Sequence, residues 1–349
     1  MTNKKGYLSF PTEPISVKSR SISELLKAMT NTGFQGRKLG EAAEIWDAMI
    51  KERELTILMG LSGAMVPAGM RQIISYLIKE RLIDCLVSTG ANIFHDIYEA
   101  LGGAHYKGHA NLNDTDLYKH RIDRMHDILA PEKEFRKVDM FISEIAESLD
   151  QSKAYSSREI MEYLGKIVYE RNGKEDSIIV SAHKHNVPIF LPALEDSSIG
   201  IGLLDARKRG YGVTIDHMKD MDEITQIIEK SKKTGVIYVG GGVPKNFIQQ
   251  TKVITAILSQ KEGGHDYGIQ FTTDSPYFGG LSGCTFEEAI SWGKISPKAK
   301  NVQVFIDATI ALPLMAHALS ERVEGLKRFI PSYDWTSDKL RITYTPFSQ

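Results

Sequence analysis

Cysteine is nearly missing from this chain: Cys85 and Cys284 are the only two in 349 residues, and they lie far apart. They can build neither a disulfide framework nor a C-x-x-C pair, which points to a reduced, cytoplasmic setting. Net charge is missing too. With 43 basic against 44 acidic side chains the balance is −1, so nothing electrostatic calls for a nucleic-acid or anionic-membrane partner. No apolar segment follows Lys4 and Lys5, so no secretory leader is expected. The longest weakly polar stretch, Thr56 to Met70, is too short and too rich in glycine to cross a bilayer. There is no G-x-G-x-x-G fingerprint, Walker A loop, G-x-S-x-G elbow or H-E-x-x-H helix, which leaves hydrolase and NTPase readings without support.

What is present is ordinary in bulk and informative in order. Hydrophobic residues make up 42% and charged residues 25%, as in globular proteins generally. Residues 1–20, polar and carrying Pro11 and Pro14, are expected to form a flexible arm, with 21–349 as a single α/β domain. Ser23–Met29 and Gly40–Lys51 carry apolar residues at helical spacing. Short apolar runs follow at Leu55–Met59, Leu82–Val87, Val187–Leu191, Val236–Val239, Gly268–Phe271 and Val302–Ile306. Helical stretches separate them, including Ala68–Glu80, Ser157–Glu170, Met221–Lys232 and Phe247–Ser259. This alternation predicts a mostly parallel sheet with helices on both faces. Asn111 to Lys137, the most polar interval, reads as an excursion from the sheet and a candidate lid.

The apolar runs end in small residues and single carboxylates: Gly60–Gly69, Ser88–Asn92, Ala193–Ser198, Gly240–Lys245, Thr272–Ser275 and Asp307–Thr309. The carboxyl ends of a parallel sheet are where such folds bind ligands. Glycine lets backbone N–H groups approach a phosphate, and a helix starting near Ala68 would turn its positive end toward an anion. Six such ends in one chain favour a nucleotide-type ligand. Asp196 or Asp307 would serve a ribose, though either suits a helix N-cap equally.

Lys294 stands out within Phe286–Ile295. Glu288 and Trp292 are four apart and share a helix face ending near it. An amine packed on an indole and deprived of water becomes neutral and nucleophilic toward a carbonyl or imine; a solvated lysine at a helix end is the plain alternative. His95, His105 and His109 lie close in sequence, but in a glycine-rich loop, so no metal is expected. His183 and His185 read as a solvated connection, and His217 as a base or a partnered structural histidine.

The Ser-Trp-Gly-Lys core at 291–294, the Gly-Gly-Gly-Val-Pro-Lys turn at 240–245, Phe190–Ser198 and Phe305–Thr309 resemble the deoxyhypusine synthase family. The similarity runs from about Phe34 to about Ala318. The resemblance implies a Rossmann-like, doubly wound fold and a cytoplasmic homotetramer with NAD and amine sites at subunit interfaces. It also implies a reaction. NAD oxidises a polyamine to an imine, the active lysine takes over the aminobutyl group, and an acceptor amine displaces the lysine before the retained hydride is returned. The acceptor is a protein lysine or, in homospermidine-forming relatives, a free diamine.

By resemblance, Lys294 is the nucleophile, Trp292 packs along the donor and Glu288 anchors a cationic end. Thr89, Asp196, Gly241, Thr273, Asp307 and Ala308 match positions that contact NAD, and Gly63 opens a stretch to Pro67 that takes the place of an NAD-contacting loop with different letters. Five positions depart from the protein-modifying enzymes. Phe94-His95 replaces two glutamates of the polyamine channel, Ile201 and Leu281 replace further carboxylates, and Asn246 replaces a proton-transferring histidine. Burying spermidine's cations without partners costs several kcal/mol each, so the channel suits a less charged donor. The pattern is similar to a deoxyhypusine synthase-like branch found in bacteria, and His95 is the candidate to take over proton transfer. A plain NAD-dependent amine dehydrogenase and a catalytically degenerate NAD-binding relative stay open as other readings.

Overall fold

Each of the six apolar runs becomes a strand, and all six join one parallel sheet. They are β1 (Leu55–Leu61), β2 (Cys85–Ser88), β3 (Ile189–Phe190), β4 (Lys233–Val239), β5 (His265–Thr272) and β6 (Ile295–Phe305). The computed structural model describes residues 8–336 and 339–348. The spatial order is β3-β2-β1-β4-β5-β6, the doubly wound Rossmann arrangement, with its switch point between β1 and β4.

The strands feed two cores. In β1, Ile57, Met59 and Leu61 pack with Trp46, Ile74 and Leu312, whereas Leu58 packs with Ile224, Ile227 and Ile248 on the other face. In β4, Ile237 and Val239 join the first core, and Val236 and Tyr238 the second. A strand covered on both faces has no polar side, which is why each reads as an unbroken apolar run. Helix Phe34–Lys51 covers β5 and β6, and helix Gly242–Leu258 packs on β1 and β2.

Several expectations change. The polar interval is an excursion from the main sheet that has its own order: it holds helix Asp114–Lys119 and most of a three-stranded antiparallel sheet (Tyr106–Lys107, Ile122–Met125, Ile128–Pro131), with Arg124 forked onto Asp114 at 2.6 and 2.7 Å. His183 and His185 sit in the last turn of helix Ile178–His185, not in a connection. Residues 1–7 of the expected arm lie outside the described residues; 8–20 form neither helix nor strand, and the Glu13 amide donates to Asn31 O at 2.9 Å.

An antiparallel hairpin, Lys327–Asp334 with Arg341–Ser348, was not anticipated. It closes the amino ends of β1 and β2. Arg328 forks onto buried Asp84 at 3.0 and 2.6 Å, Arg81 approaches the same carboxylate at 3.2 Å, and Asp84 also accepts from the Ile57 amide at 2.8 Å. The opposite, carboxyl edge is thereby left for ligands. Among the described residues no helix is long and apolar enough to cross a membrane.

Candidate active site

Lys294 is placed by its neighbours in sequence. Thr285 caps helix Phe286–Ser291, its Oγ1 accepting from the Glu288 amide at 3.2 Å. The helix stops at Trp292, and Gly293 takes φ 70°, the left-handed conformation that ends helices and that only glycine adopts cheaply. The chain then turns into β6: the Lys294 amide donates to Ala289 O at 3.0 Å, and Lys294 O accepts from the His265 amide at 3.1 Å. The lysine backbone is thus tied both to the helix behind it and to the sheet ahead.

The amine points across the chain. Nζ donates to Asn246 Oδ1 at 3.0 Å and lies 5.5 Å from the Trp292 ring centroid, within cation–π range. The indole was expected to dry the amine; in the single chain Trp292 is 64% exposed, Lys294 is half-buried, and Glu288 is exposed. The cover is therefore partial until something else packs there.

A second lysine lies beneath, unflagged by sequence reading beyond its place in the glycine turn. Lys245 is 1% exposed and donates to Gln270 Oε1 at 3.0 Å, Cys284 O at 2.7 Å and Leu281 O at 3.3 Å. Burial pushes its ammonium down to about 8, against the pull of Cys284 and Glu288. These bonds pin the 281–284 turn beside Lys294. The Cys284 thiol is raised, chiefly by burial, and also feels Lys245, Glu288 and Lys294.

The carboxyl ends of four strands frame a cleft of about 210 Å³. Ser62, Gly63 and Met65 follow β1, Val239 and Gly240 end β4, Phe271 to Asp274 end β5, and Ile306, Asp307 and Ala308 follow β6. Gly63, Thr273, Asp307 and Ala308, four of the expected cofactor residues, are thus brought together. Asp307 caps helix Ala308–Val323, accepting from the Thr309 amide and hydroxyl, each at 2.7 Å, and these bonds hold its carboxyl below the usual range.

Gly241 begins helix Gly242–Leu258, and a side chain there would run into the backbone of Ser282. Its carbonyl accepts from the Ser62 hydroxyl. Thr89 supports the rim instead of lining it: Oγ1 donates to Gly63 O at 2.7 Å and accepts from Asn92 Nδ2 at 3.0 Å. Asp196 stays exposed on the loop after β3, beside Ser197, which abuts Gly90. Two helix N-termini and a glycine turn that a Cβ would fill suit a dinucleotide's phosphates.

His95 is set apart from this group. It is 7% exposed on helix Gly90–Ala100, with its ring 5.6 Å from Phe94, 5.3 Å from Phe135 and 5.0 Å from His105, centroid to centroid. No hydrogen bond or ring contact among the described residues joins it to Lys294. Burial, then the charge of His105, pushes its imidazole down to about 4. Phe94 is 3% exposed and fills the core, while Ile201 and Leu281, at 48% and 39%, are open.

Comparison with known proteins gives the family. The deoxyhypusine synthase family model matches residues 24–319. A probable deoxyhypusine synthase 2 of Methanosarcina mazei is 60% identical, covering 97% of this chain and 98% of that protein. A deoxyhypusine synthase-like protein of Chlorobaculum parvum is 38% identical over 90% of each. The crystal structure of a provisionally assigned deoxyhypusine synthase from Entamoeba histolytica superposes with a TM-score of 0.60 at 20% identity, covering 86% of this chain and 93% of that one. The chain belongs to the deoxyhypusine synthase family and is an aminobutyltransferase enzyme.

Proposed function

We propose that this family member is an NAD-dependent aminoalkyl transferase in which Lys294 carries an aminobutyl or similar group between two amines. The observation that bears most weight is the Lys294 amine, oriented by Asn246 Oδ1 at 3.0 Å and 5.5 Å from the Trp292 ring centroid. Gly63, Thr89, Asp196, Gly241, Thr273, Asp307 and Ala308 would hold NAD. Bound there, NAD would accept a hydride from the donor and later return it.

The protein's own residues do the rest. Lys294 Nζ adds to the imine carbon of the oxidised donor, the smaller amine leaves, and the group rests as an imine on Lys294. An acceptor amine then attacks that carbon and releases the lysine. Trp292 packs along the donor's methylenes, Glu288 receives a cationic end, and His95 handles protons. Phe94, Ile201 and Leu281 supply no charge, so a donor with fewer cations than spermidine fits better, and a small diamine is favoured over a protein lysine as acceptor.

Exposed Trp292, Tyr277 at 93%, Phe278 at 89% and Ile310 at 56% support burial of this face in a homotetramer, which would dry the amine. The setting proposed is cytoplasmic. Borohydride trapping with NAD and a panel of amines, followed by peptide mass mapping, tests the reading. An adduct on Lys294 is expected; no adduct, or full activity in Lys294→Ala, overturns it. Free NADH accumulating in stoichiometric amount would instead identify a dehydrogenase.

A further inference from the structure

We propose that His95, His105 and Glu99 form a proton relay for the transferase site, with His95 meeting the donor amine and His105 and Glu99 as positioning residues that hold the proton. This rests on the function proposed above. The geometry is continuous: His95 Nδ1 lies 3.0 Å from His105 Nε2, and His105 Nδ1 lies 2.6 Å from Glu99 Oε1. Glu99 Oε2 accepts from Arg71 Nε at 2.6 Å, and Arg71 is forked onto Asp176, with Nη2 to Oδ2 at 3.0 Å. The line of contacts therefore runs from a buried ring to a carboxylate fixed by an arginine.

Only one pattern of protons leaves His95 able to accept. Glu99, ionised beside Arg71, takes the Nδ1 proton of His105. His105 Nε2 is then a lone pair, which accepts the Nδ1 proton of His95. His95 Nε2, which makes no hydrogen bond among the described residues, is left as a lone pair. His95 lies about 9 Å along its helix from Thr89, at six residues of 1.5 Å rise.

The transfer balances without a redox partner. A donor arriving as an ammonium must lose one proton before its α-carbon can yield a hydride. That proton goes to His95 Nε2 as the Nδ1 proton of His95 passes to His105 Nε2, so His95 ends neutral in its other tautomer. The charge rests on His105 beside Glu99, where the carboxylate stabilises it. Burial disfavours charge on His95 itself, so it conducts the proton rather than storing it. Every neighbouring group fits this assignment. Phe94, Tyr98 and Phe135 wall the rings on the apolar side. Asp96 turns away to the Ser177 hydroxyl and the Ile178 and Ile179 amides, at 2.7 to 2.9 Å. The remaining charges are Arg71 and Asp176, with Glu134 beside Tyr98.

Histidine-selective ¹⁵N NMR on the whole protein reads the resting state without substrate. Both rings are expected as Nδ1–H tautomers at pH 8; an Nε2–H tautomer on His95 overturns the relay. Stopped-flow appearance of NADH with NAD and the amine that best labels Lys294 then reads the transfer. Because the acceptor must start unprotonated, the rate rises with pH. Glu99→Gln is expected to move that rise about one pH unit lower and to cut the plateau about tenfold. A merely structural role would lower the melting temperature and leave the shape of the profile unmoved, and that result also overturns the relay. Wild-type protein that forms no Lys294 adduct with any amine sinks the transferase reading itself and, with it, the catalytic part of this one. An adduct with an unchanged profile sinks the relay alone.

Discussion

At the scale of single residues, Lys294 owes its orientation to one amide. Removing it in Asn246→Ala deletes a hydrogen bond to a charged or attacking amine, typically about 1–2 kcal/mol. Borohydride-trapped adduct is expected to accumulate about tenfold more slowly, with little change in melting temperature, since Asn246 is not part of the core. An adduct rate equal to wild type would show that the amide does not orient the amine. Lys294 was legible in the sequence because glycine and tryptophan around it form a local, contiguous pattern. Its partner was not, because Asn246 lies 48 residues away on another helix. Lys245 was hidden for a different reason. A lysine closing a glycine turn reads as solvated, and only the three acceptors converging on it reveal a buried ammonium without a carboxylate on it.

At the scale of elements, caps and two-sided burial decided what could be read. Helix Ser157–Glu170 was found at its boundaries because Ser156 and Glu159 form a capping box ahead of a periodic apolar face. The sheet was found because its strands have no wet side. The interval around 106–131 was read as an excursion, but its strands escaped, since their order comes from a backbone ladder and the Arg124–Asp114 fork rather than from apolar periodicity.

The same cap yields a pH prediction. Burial raises the Glu159 carboxyl, but Lys219 at 2.7 Å, Lys153 at 2.9 Å and the Ser156 amide at 3.0 Å outweigh it and hold it at about 2. A carboxyl depressed in the folded state stabilises fully above its unfolded value of about 4.5. That contribution is lost as pH falls through about 2. Glu159→Gln is expected to cost about 1–2 kcal/mol at pH 7, allowing for partial solvent screening, and almost nothing near pH 2. Urea midpoints of both proteins across that range check it; a gap that does not close with acid refutes it.

At the scale of the whole molecule, the two ends of the sheet have separate jobs. Asp84, between Arg81 and Arg328, locks the terminal hairpin over the amino edge. Asp84→Ala leaves two guanidinium groups buried without their partner, and a loss of about 3–5 kcal/mol is expected, with faster amide exchange along Lys327–Asp334. The carboxyl edge should answer to the cofactor instead. Adding NAD is expected to slow hydrogen exchange in 61–65, 272–274 and 306–308 and leave the hairpin unaffected; the reverse pattern would remove the cleft from consideration.

The division extends to Lys294. Its main chain is a rung of the outer strand pairing, through the His265 amide, while the turn facing it from 276 to 284 hangs on a buried ammonium and short local bonds. Lineages descending from such a scaffold can rewrite that turn without loosening Lys294. Divergence in the amine consumed is therefore expected to accumulate between Pro276 and Gly283, while the rung itself stays fixed.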